Sequence, residues 1–326
     1  MRVVIDRGIP FLDGVLEPYA QVSYLPPDAI TPDAVRDADA LIVRTRTQIN
    51  KGLLEGSKVR FVATATIGYD HIDQDYCREV GIYWTSCPGC NAQAVCDYVE
   101  EVIASSLKPQ SGCTIDSLPV TVGVVGYGHV GKLVANMAEC RGYRVLLSDP
   151  PLGIGISLKE MAPQCDVLTF HTPLTRDGKY PTYHLCDADI LRLCKPDALI
   201  INAARGGVID EQALLAHLSV SPLKGERGGL AIDCWEGEPE INTKLLQRVD
   251  LASFHIAGYS IQGKMRASEM CLEAFCKFFS LPILSINKKV VPLHGDSESG
   301  WLKRISDQLK AHPEQCEHLR KNYPLR

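Results

Sequence analysis

Short apolar runs alternate with helix-length amphipathic stretches along the whole chain, the pattern of parallel sheets crossed by helices. In the first part, Val3–Ile5, Gln21–Tyr24, Ala40–Val43, Phe61–Ala65 and Ile82–Trp84 predict strands, with amphipathic stretches such as Thr31–Ala38 and Asp73–Val80 between them. Asn91 to Leu107 predicts a longer helix that ends near Lys108-Pro109-Gln110-Ser111-Gly112, a polar segment with two helix breakers, where a domain junction is expected. Beyond it, Val120–Val125, Arg144–Ser148, Val167–Phe170, Ala198–Ile201, Leu230–Ile232 and Leu251–Phe254 predict six further strands, the count of a doubly wound sheet. A helix is expected from Gly258 to about Phe279, and the charged, mixed residues after it give no strong pattern. No solenoid-period repeat or low-complexity tract breaks this organisation.

Size fits the pattern: 326 residues suit about two domains, each able to bury a core without disulfide or metal staples. A net charge of -5 gives no electrostatic footprint for nucleic acid. The apolar runs are too short to span a bilayer, and Met1-Arg2-Val3-Val4-Ile5-Asp6 reads as an immediate strand rather than an export signal. A cytoplasmic protein is therefore expected. The 13 cysteines are scattered and often apolar in setting, as for reduced core thiols.

The first sharp chemical signal is Val122-Gly123-Val124-Val125-Gly126-Tyr127-Gly128-His129-Val130-Gly131, a G-x-G-x-x-G directly after an apolar strand. Gly126 permits a tight turn, Gly128 lets backbone approach a pyrophosphate, and Gly131 lets the next helix, expected over Lys132 to Arg141, pack on the strand. The next strand ends at Asp149, 18 residues past Gly131. A carboxylate there accepts both ribose hydroxyls and repels a 2′-phosphate, which favours NAD over NADP; Pro150 and Pro151 supply no cation to reverse this. The competing reading, glycines needed only for a tight strand–helix turn, lacks a reason for Asp149.

Ligands of doubly wound sheets bind at the carboxyl ends of strands. Three predicted strands run there into Asn202-Ala203-Ala204-Arg205-Gly206-Gly207, Asp233-Cys234-Trp235-Glu236-Gly237-Glu238-Pro239 and His255-Ile256-Ala257-Gly258-Tyr259. Oxidation of a 2-hydroxy acid needs these residue types. His255 can take the hydroxyl proton as hydride leaves for a nicotinamide. Glu238 can hold His255 and stabilise its protonated form. Arg205 can grip the substrate carboxylate through two hydrogen bonds. Singly, each has a plainer reading: a satisfied histidine, a turn glutamate in an acidic loop, a surface arginine. Together with the glycine turn they favour catalysis.

These motifs carry a resemblance. V-G-Y-G-H-V-G, N-A-A-R-G-G-V-I-D around Arg205, D-C-W-E-G-E-P at Asp233–Pro239 and F-H-I-A-G-Y at Phe254–Tyr259 make the chain similar to the D-2-hydroxyacid dehydrogenases along nearly its whole length. V-R-T-R-T at Val43–Thr47, T-A-T-I-G-Y-D-H-I-D at Thr64–Asp73, C-P-G-C-N-A at Cys87–Ala92, W-E-G-E-P-E-I-N at Trp235–Asn242, H-I-A-G-Y-S at His255–Ser260 and L-R-K-N-Y at Leu319–Tyr323 narrow it to members that oxidise 4-phospho-D-erythronate to its 2-oxo acid, a step toward pyridoxal 5′-phosphate. The resemblance implies a flavodoxin-like substrate domain over residues 1–108, completed by part of 258–285. It implies a Rossmann NAD-binding domain over 109–257 and a C-terminal extension over 286–326. It implies Arg205 and Glu238 as active-site residues and His255 as acid/base; NAD contacts at Asp149, Thr172, Asp233 and Gly258; and substrate contacts at Thr45, Thr66 and Tyr259. A homodimer is implied as well, with a shortened dimerisation region since the chain stops at Arg326.

A phosphorylated acid needs donors away from Arg205. Arg44, Thr45, Arg46 and Thr47 follow one strand of the first part, Thr66 and Gly68 the next, and Arg44 is the expected phosphate contact, with a solvated loop as the plainer alternative. Cys87-Pro88-Gly89-Cys90 has redox spacing without the surrounding small fold, so structural or cleft-lining thiols are expected. No cluster has convincing metal-ligand spacing. Two alternatives remain: a phosphoglycerate or broad D-2-hydroxyacid dehydrogenase, and a non-catalytic NAD-sensing scaffold, which would have no need of all three catalytic residues.

Overall fold

The computed structural model describes residues 1–107, 120–220, 229–286 and 300–323. Its chain divides into two compact units, one of Met1–Asn91 and Tyr259–Leu293, the other of Ala92–Gly258 and His294–Arg326. The junction expected at Lys108–Gly112 lies outside the described residues. The helix before it, Ala92–Ser106, groups with the second unit, where Tyr98 on its buried face hydrogen-bonds the Ser253 hydroxyl at 2.8 Å.

In the first unit, β1 (Arg2–Asp6), β2 (Gln21–Leu25), β3 (Ala40–Val43), β4 (Phe61–Thr64) and β5 (Tyr83–Thr85) form an all-parallel sheet in the order β2-β1-β3-β4-β5. β3 and β4 are buried at every position, as a parallel sheet covered on both faces requires. One face carries Val3, Ile5, Ala40, Ile42, Phe61 and Ala63 against Ala267, Cys271, Leu272 and Phe275 of the helix Ile261–Phe278; the other packs Val4, Leu41, Val43 and Val62 on Ile49, Leu54 and Cys77. Side-chain caps begin the helices: Asp73 accepts from Tyr76 N, and Ser260 from Gly263 N.

In the second unit, β6 (Thr121–Val125), β7 (Arg144–Asp149), β8 (Ile154–Gly155), β9 (Val167–Phe170), β10 (Leu199–Asn202), β11 (Gly229–Ile232) and β12 (Leu251–Ala252) pair in the order β12-β11-β10-β9-β6-β7-β8. Only the two-residue β8 is antiparallel; it was not among the expected strands, being too short to show a period. The order reverses between β6 and β9, so β6 starts the sheet at its switch point. The seemingly patternless C-terminus forms helices Trp301–Ala311 and Cys316–Asn322. The first buries Trp301, Leu302, Ile305 and Leu309, one stripe at helical spacing, and is tied to the β12 edge by Ser306, which accepts from Ala252 N at 3.0 Å.

Candidate active site

β6 delivers the chain into Gly126 at φ +90°, where a Cβ would lie 2.7 Å from the His171 carbonyl oxygen. A Cβ on Gly131 would lie 1.9 Å from the Gly126 carbonyl oxygen, so only glycine lets the helix His129–Cys140 approach β6. Around Gly128, at that helix's N-terminus, there is open space instead. Asp149 ends β7 with Oδ2 accepting from Tyr127 N at 2.7 Å and Oδ1 from Leu152 N at 3.2 Å, so the carboxylate is held directly at the glycine turn. Thr172 follows β9 beside Gly126, and its hydroxyl is buried without a partner among the described residues. Room beside Gly128 and an orphaned buried hydroxyl at one sheet edge fit a dinucleotide. Neighbouring His171 is pushed down to about 3 by burial and stays neutral.

β10 leads to Arg205. Asn202 fixes the turn: its side-chain amide donates to the carbonyls of Arg205 and Cys234, both at 3.1 Å, while its Oδ1 accepts from Ala204 N at 3.2 Å. Gly206 has no room for a side chain, since a Cβ would lie 1.9 Å from the Trp235 carbonyl oxygen. Arg205 itself is exposed, with Nη1 donating to the Ala204 carbonyl at 2.7 Å. Asn202 thus links the arginine loop to the glutamate loop, a role its place in N-A-A-R-G-G did not announce.

Glu238 and His255 meet. His255 Nδ1 lies 2.8 Å from Glu238 Oε2, and Glu238 Oε1 accepts from Trp235 N at 2.7 Å. Burial pushes the Glu238 carboxyl up, but the His255 hydrogen bond and charge, the Trp235 N–H and the Arg320 guanidinium outweigh it and hold the group below its ordinary range. The carboxylate therefore stays ionised, orients the imidazole through Nδ1 and leaves Nε2 for a reacting hydroxyl. His255 sits at φ +60°, an uncommon conformation for a residue with a side chain. Buried Asp233 imposes it: Oδ1 accepts from Ser253 Oγ at 2.7 Å and Ile256 N at 2.8 Å, Oδ2 from Ala257 N at 2.9 Å, and its carbonyl from His255 N at 2.8 Å. The resemblance offered Asp233 as an NAD contact; its carboxylate also anchors the loop from Ser253 to Gly258, and Oδ2 accepts a single backbone N–H.

The first unit presents its expected residues differently. Arg44 makes two hydrogen bonds to Asp6, Nε to Oδ2 at 2.7 Å and Nη2 to Oδ1 at 2.8 Å. Asp6 ends β1 with no solvent exposure, and a buried carboxylate requires such a partner. The expected phosphate contact is thus committed inside its own unit. Thr45 and Arg46 are exposed, and Arg46 has no ion pair among the described residues. Thr66 Oγ1 bonds Thr64 Oγ1 at 2.7 Å and the Gly68 carbonyl at 3.0 Å. The Tyr259 hydroxyl accepts from Lys264 Nζ at 3.2 Å, and that ammonium lies 4.3 Å from the ring centroid. Cys87 is buried with its thiol in reach of the carbonyls of Thr64 and Ala267, while burial pushes the Cys90 thiol up to about 12; neither has the setting of a redox nucleophile. Among the described residues no cluster could hold a metal ion, and no helix is long and apolar enough to cross a membrane.

Comparison with known proteins agrees with this geometry. Residues 97–257 match the family described as D-isomer specific 2-hydroxyacid dehydrogenase, NAD binding domain. Erythronate-4-phosphate dehydrogenase of Bacteroides fragilis is 43% identical over 343 residues, covering 100% of this chain and 97% of that protein. The enzyme of the same name from Cronobacter sakazakii is 37% identical over 100% of this chain and 92% of its own length. Among solved structures, the TT0316 protein of Thermus thermophilus superposes with a TM-score of 0.69 at 25% identity, over 87% of this chain and 98% of that one. The NAD+-bound 3-phosphoglycerate dehydrogenase of Entamoeba histolytica superposes at 0.68 with 23% identity, over 86% and 95%, a likeness of fold alone.

Proposed function

The chain belongs to the D-isomer specific 2-hydroxyacid dehydrogenases and is an NAD-dependent oxidoreductase, and from that premise we propose that it oxidises 4-phospho-D-erythronate to (R)-3-hydroxy-2-oxo-4-phosphooxybutanoate, in the synthesis of pyridoxal 5′-phosphate. The observation that carries catalysis is the 2.8 Å contact between His255 Nδ1 and Glu238 Oε2, which leaves Nε2 free to take the substrate's 2-hydroxyl proton. Exposed Arg205 holds the substrate carboxylate, and ionised Glu238 stabilises the imidazolium. NAD, when bound, supplies the hydride acceptor; Gly126, Gly128, Gly131, Asp149, Thr172, Asp233 and Gly258 are the residues to hold it. The four-carbon phosphorylated acid is favoured over 3-phosphoglycerate by the name shared by relatives 37–43% identical along the whole chain. Thr45, Thr66 and Tyr259 are its first-unit contacts in this reading, with the phosphate role moving from Arg44 to exposed Arg46. A cytoplasmic homodimer completes the proposal.

The test is oxidation of 4-phospho-D-erythronate beside D-3-phosphoglycerate by purified protein with NAD, read as the 2-oxo acid product formed, with and without a different 2-oxo acid added to reoxidise the NADH. A kcat/KM higher by about tenfold or more for the four-carbon acid is expected. Preference for D-3-phosphoglycerate would move the chain to the alternative substrate class, and no turnover of any 2-hydroxy acid would leave an NAD-binding scaffold.

A further inference from the structure

The last described helix, Cys316–Asn322, lies in the same unit as the catalytic pair. Arg320 on it brings Nη1 to 4.0 Å from Glu238 Oε2, the oxygen bonded to His255 Nδ1. The helix is built onto the site rather than laid loosely over it. Tyr323 meets the ring of Phe254, the residue before His255, edge-on at 5.7 Å, and Cys316 is buried. The preceding helix is fixed at the β12 edge by Ser306. A cation from the chain's far end thus reaches the back of the Glu238–His255 pair.

We propose that Arg320 is a positioning residue of the catalytic pair: it shares the Glu238 carboxylate with His255 and so limits how strongly that carboxylate holds the imidazole protonated. With His255 as its sole partner, the full charge of Glu238 would favour the imidazolium, which is no base. A guanidinium at the same oxygen offsets part of that charge and repels the imidazolium directly, which keeps Nε2 ready to accept a proton. Other groups face the pair. Trp235 N–H sits on Glu238 Oε1. Asp233 is held by Ser253 Oγ and two backbone amides. The Cys234 and Cys316 thiols are raised first by burial and stay neutral. Arg205 acts on Cys234 from the neighbouring loop. Glu211, which feels the Glu238 charge, is pushed up to about 7, chiefly by burial. Since it titrates in every variant alike, differences between substitutions at position 320 isolate the guanidinium.

The inference rests on His255 being the proton acceptor, and the test separates the two. The pH dependence of kcat/KM for NADH formation is measured for the wild type, Arg320→Lys, Arg320→Gln and Arg320→Glu, and the His255 ring is titrated by NMR in the same NAD-loaded full-length proteins. Loss of the cation favours the imidazolium, so the acid limb moves to higher pH. Arg320→Lys stays near the wild type, Arg320→Gln shifts by about half a pH unit, and Arg320→Glu shifts further in the same direction. Added salt compresses the spread, because Arg320 is partly exposed. Ordering by charge is the signature, and it survives the loss of any one variant to misfolding. A fall in kcat or Tm with the ring titration unmoved would reduce Arg320 to packing and overturn the inference, leaving His255 as base intact. A ring titration that moves while the rate profile does not would uphold Arg320 and remove His255 from the role of base.

Discussion

Asp6 and Glu211, a buried carboxylate from each unit, are handled in opposite ways. Asp6 ends β1 in the five-stranded sheet and is met by both nitrogens of one edge of the Arg44 guanidinium, at 2.7 and 2.8 Å. Gly8 makes room for that arginine, since a Cβ there would lie 1.9 Å from Nη2. β1 and β3 are neighbours at the switch point of the order β2-β1-β3-β4-β5, where a doubly wound sheet opens its ligand crevice. Here Asp6 and Arg44 pair with each other. Glu211, in the second unit, has no ion pair among the described residues. Its Oε1 accepts from Glu236 N at 2.6 Å, and the charges it feels are those of Glu236 and Glu238. One sheet edge answers its buried carboxylate with an ion pair; the other leaves Glu211 a backbone donor and two carboxylate neighbours, beside the residues that do chemistry.

The largest expected effect breaks the catalytic edge. His255→Ala removes the proton acceptor and should lower kcat by about a thousandfold, the range of a lost general base. Cofactor binding, read by quenching of tryptophan fluorescence, should remain. Turnover near the wild-type rate would end the assignment.

Next comes the ion-paired edge. Arg44→Ala strands the Asp6 carboxylate, and removing one partner of a buried pair costs about 3 kcal/mol. Urea denaturation should show that loss, while KM for phosphorylated and unphosphorylated acids changes by the same factor. A selective rise in KM for the phosphorylated acid at undiminished stability would restore Arg44 as a phosphate ligand and undo the contrast.

What the sequence made legible follows the same division. The glycine turn, Asp149 and the three strand-end loops could be read because their spacing is dictated by local geometry: strand, tight turn, helix. Glu238 and His255 do meet, at 2.8 Å, as their residue types required. The partners of Arg44 and Asp233 were not legible. Asp6 is 38 residues from Arg44, and Asp233 reaches across to Ile256 and Ala257, so only the folded sheet order decides that these groups meet. The C-terminal helices lay between the two cases. Trp301, Leu302, Ile305 and Leu309 formed a helical stripe that charged neighbours obscured, whereas the approach of Arg320 to Glu238 had no local signal at all.

The smallest effect sharpens the comparison at Glu211. Its carboxyl is pushed up to about 7, first by burial and then by Glu236 and Glu238, against the Glu236 N–H that lowers it. The unfolded chain titrates it near 4.3. Between these values the folded state holds a proton that the unfolded state has released, so stability falls as pH rises from about 4.3 to about 7 and the full penalty applies above that range. Glu211→Gln keeps an oxygen for the Glu236 N–H and removes the charge. The variant should match the wild type below about pH 4.5 and exceed it by a margin that grows up to about pH 7 and then levels off. Denaturation midpoints at several pH values measure this directly. An advantage that does not grow with pH would mean Glu211 is compensated after all, and the two sheet edges would then manage their buried charge alike.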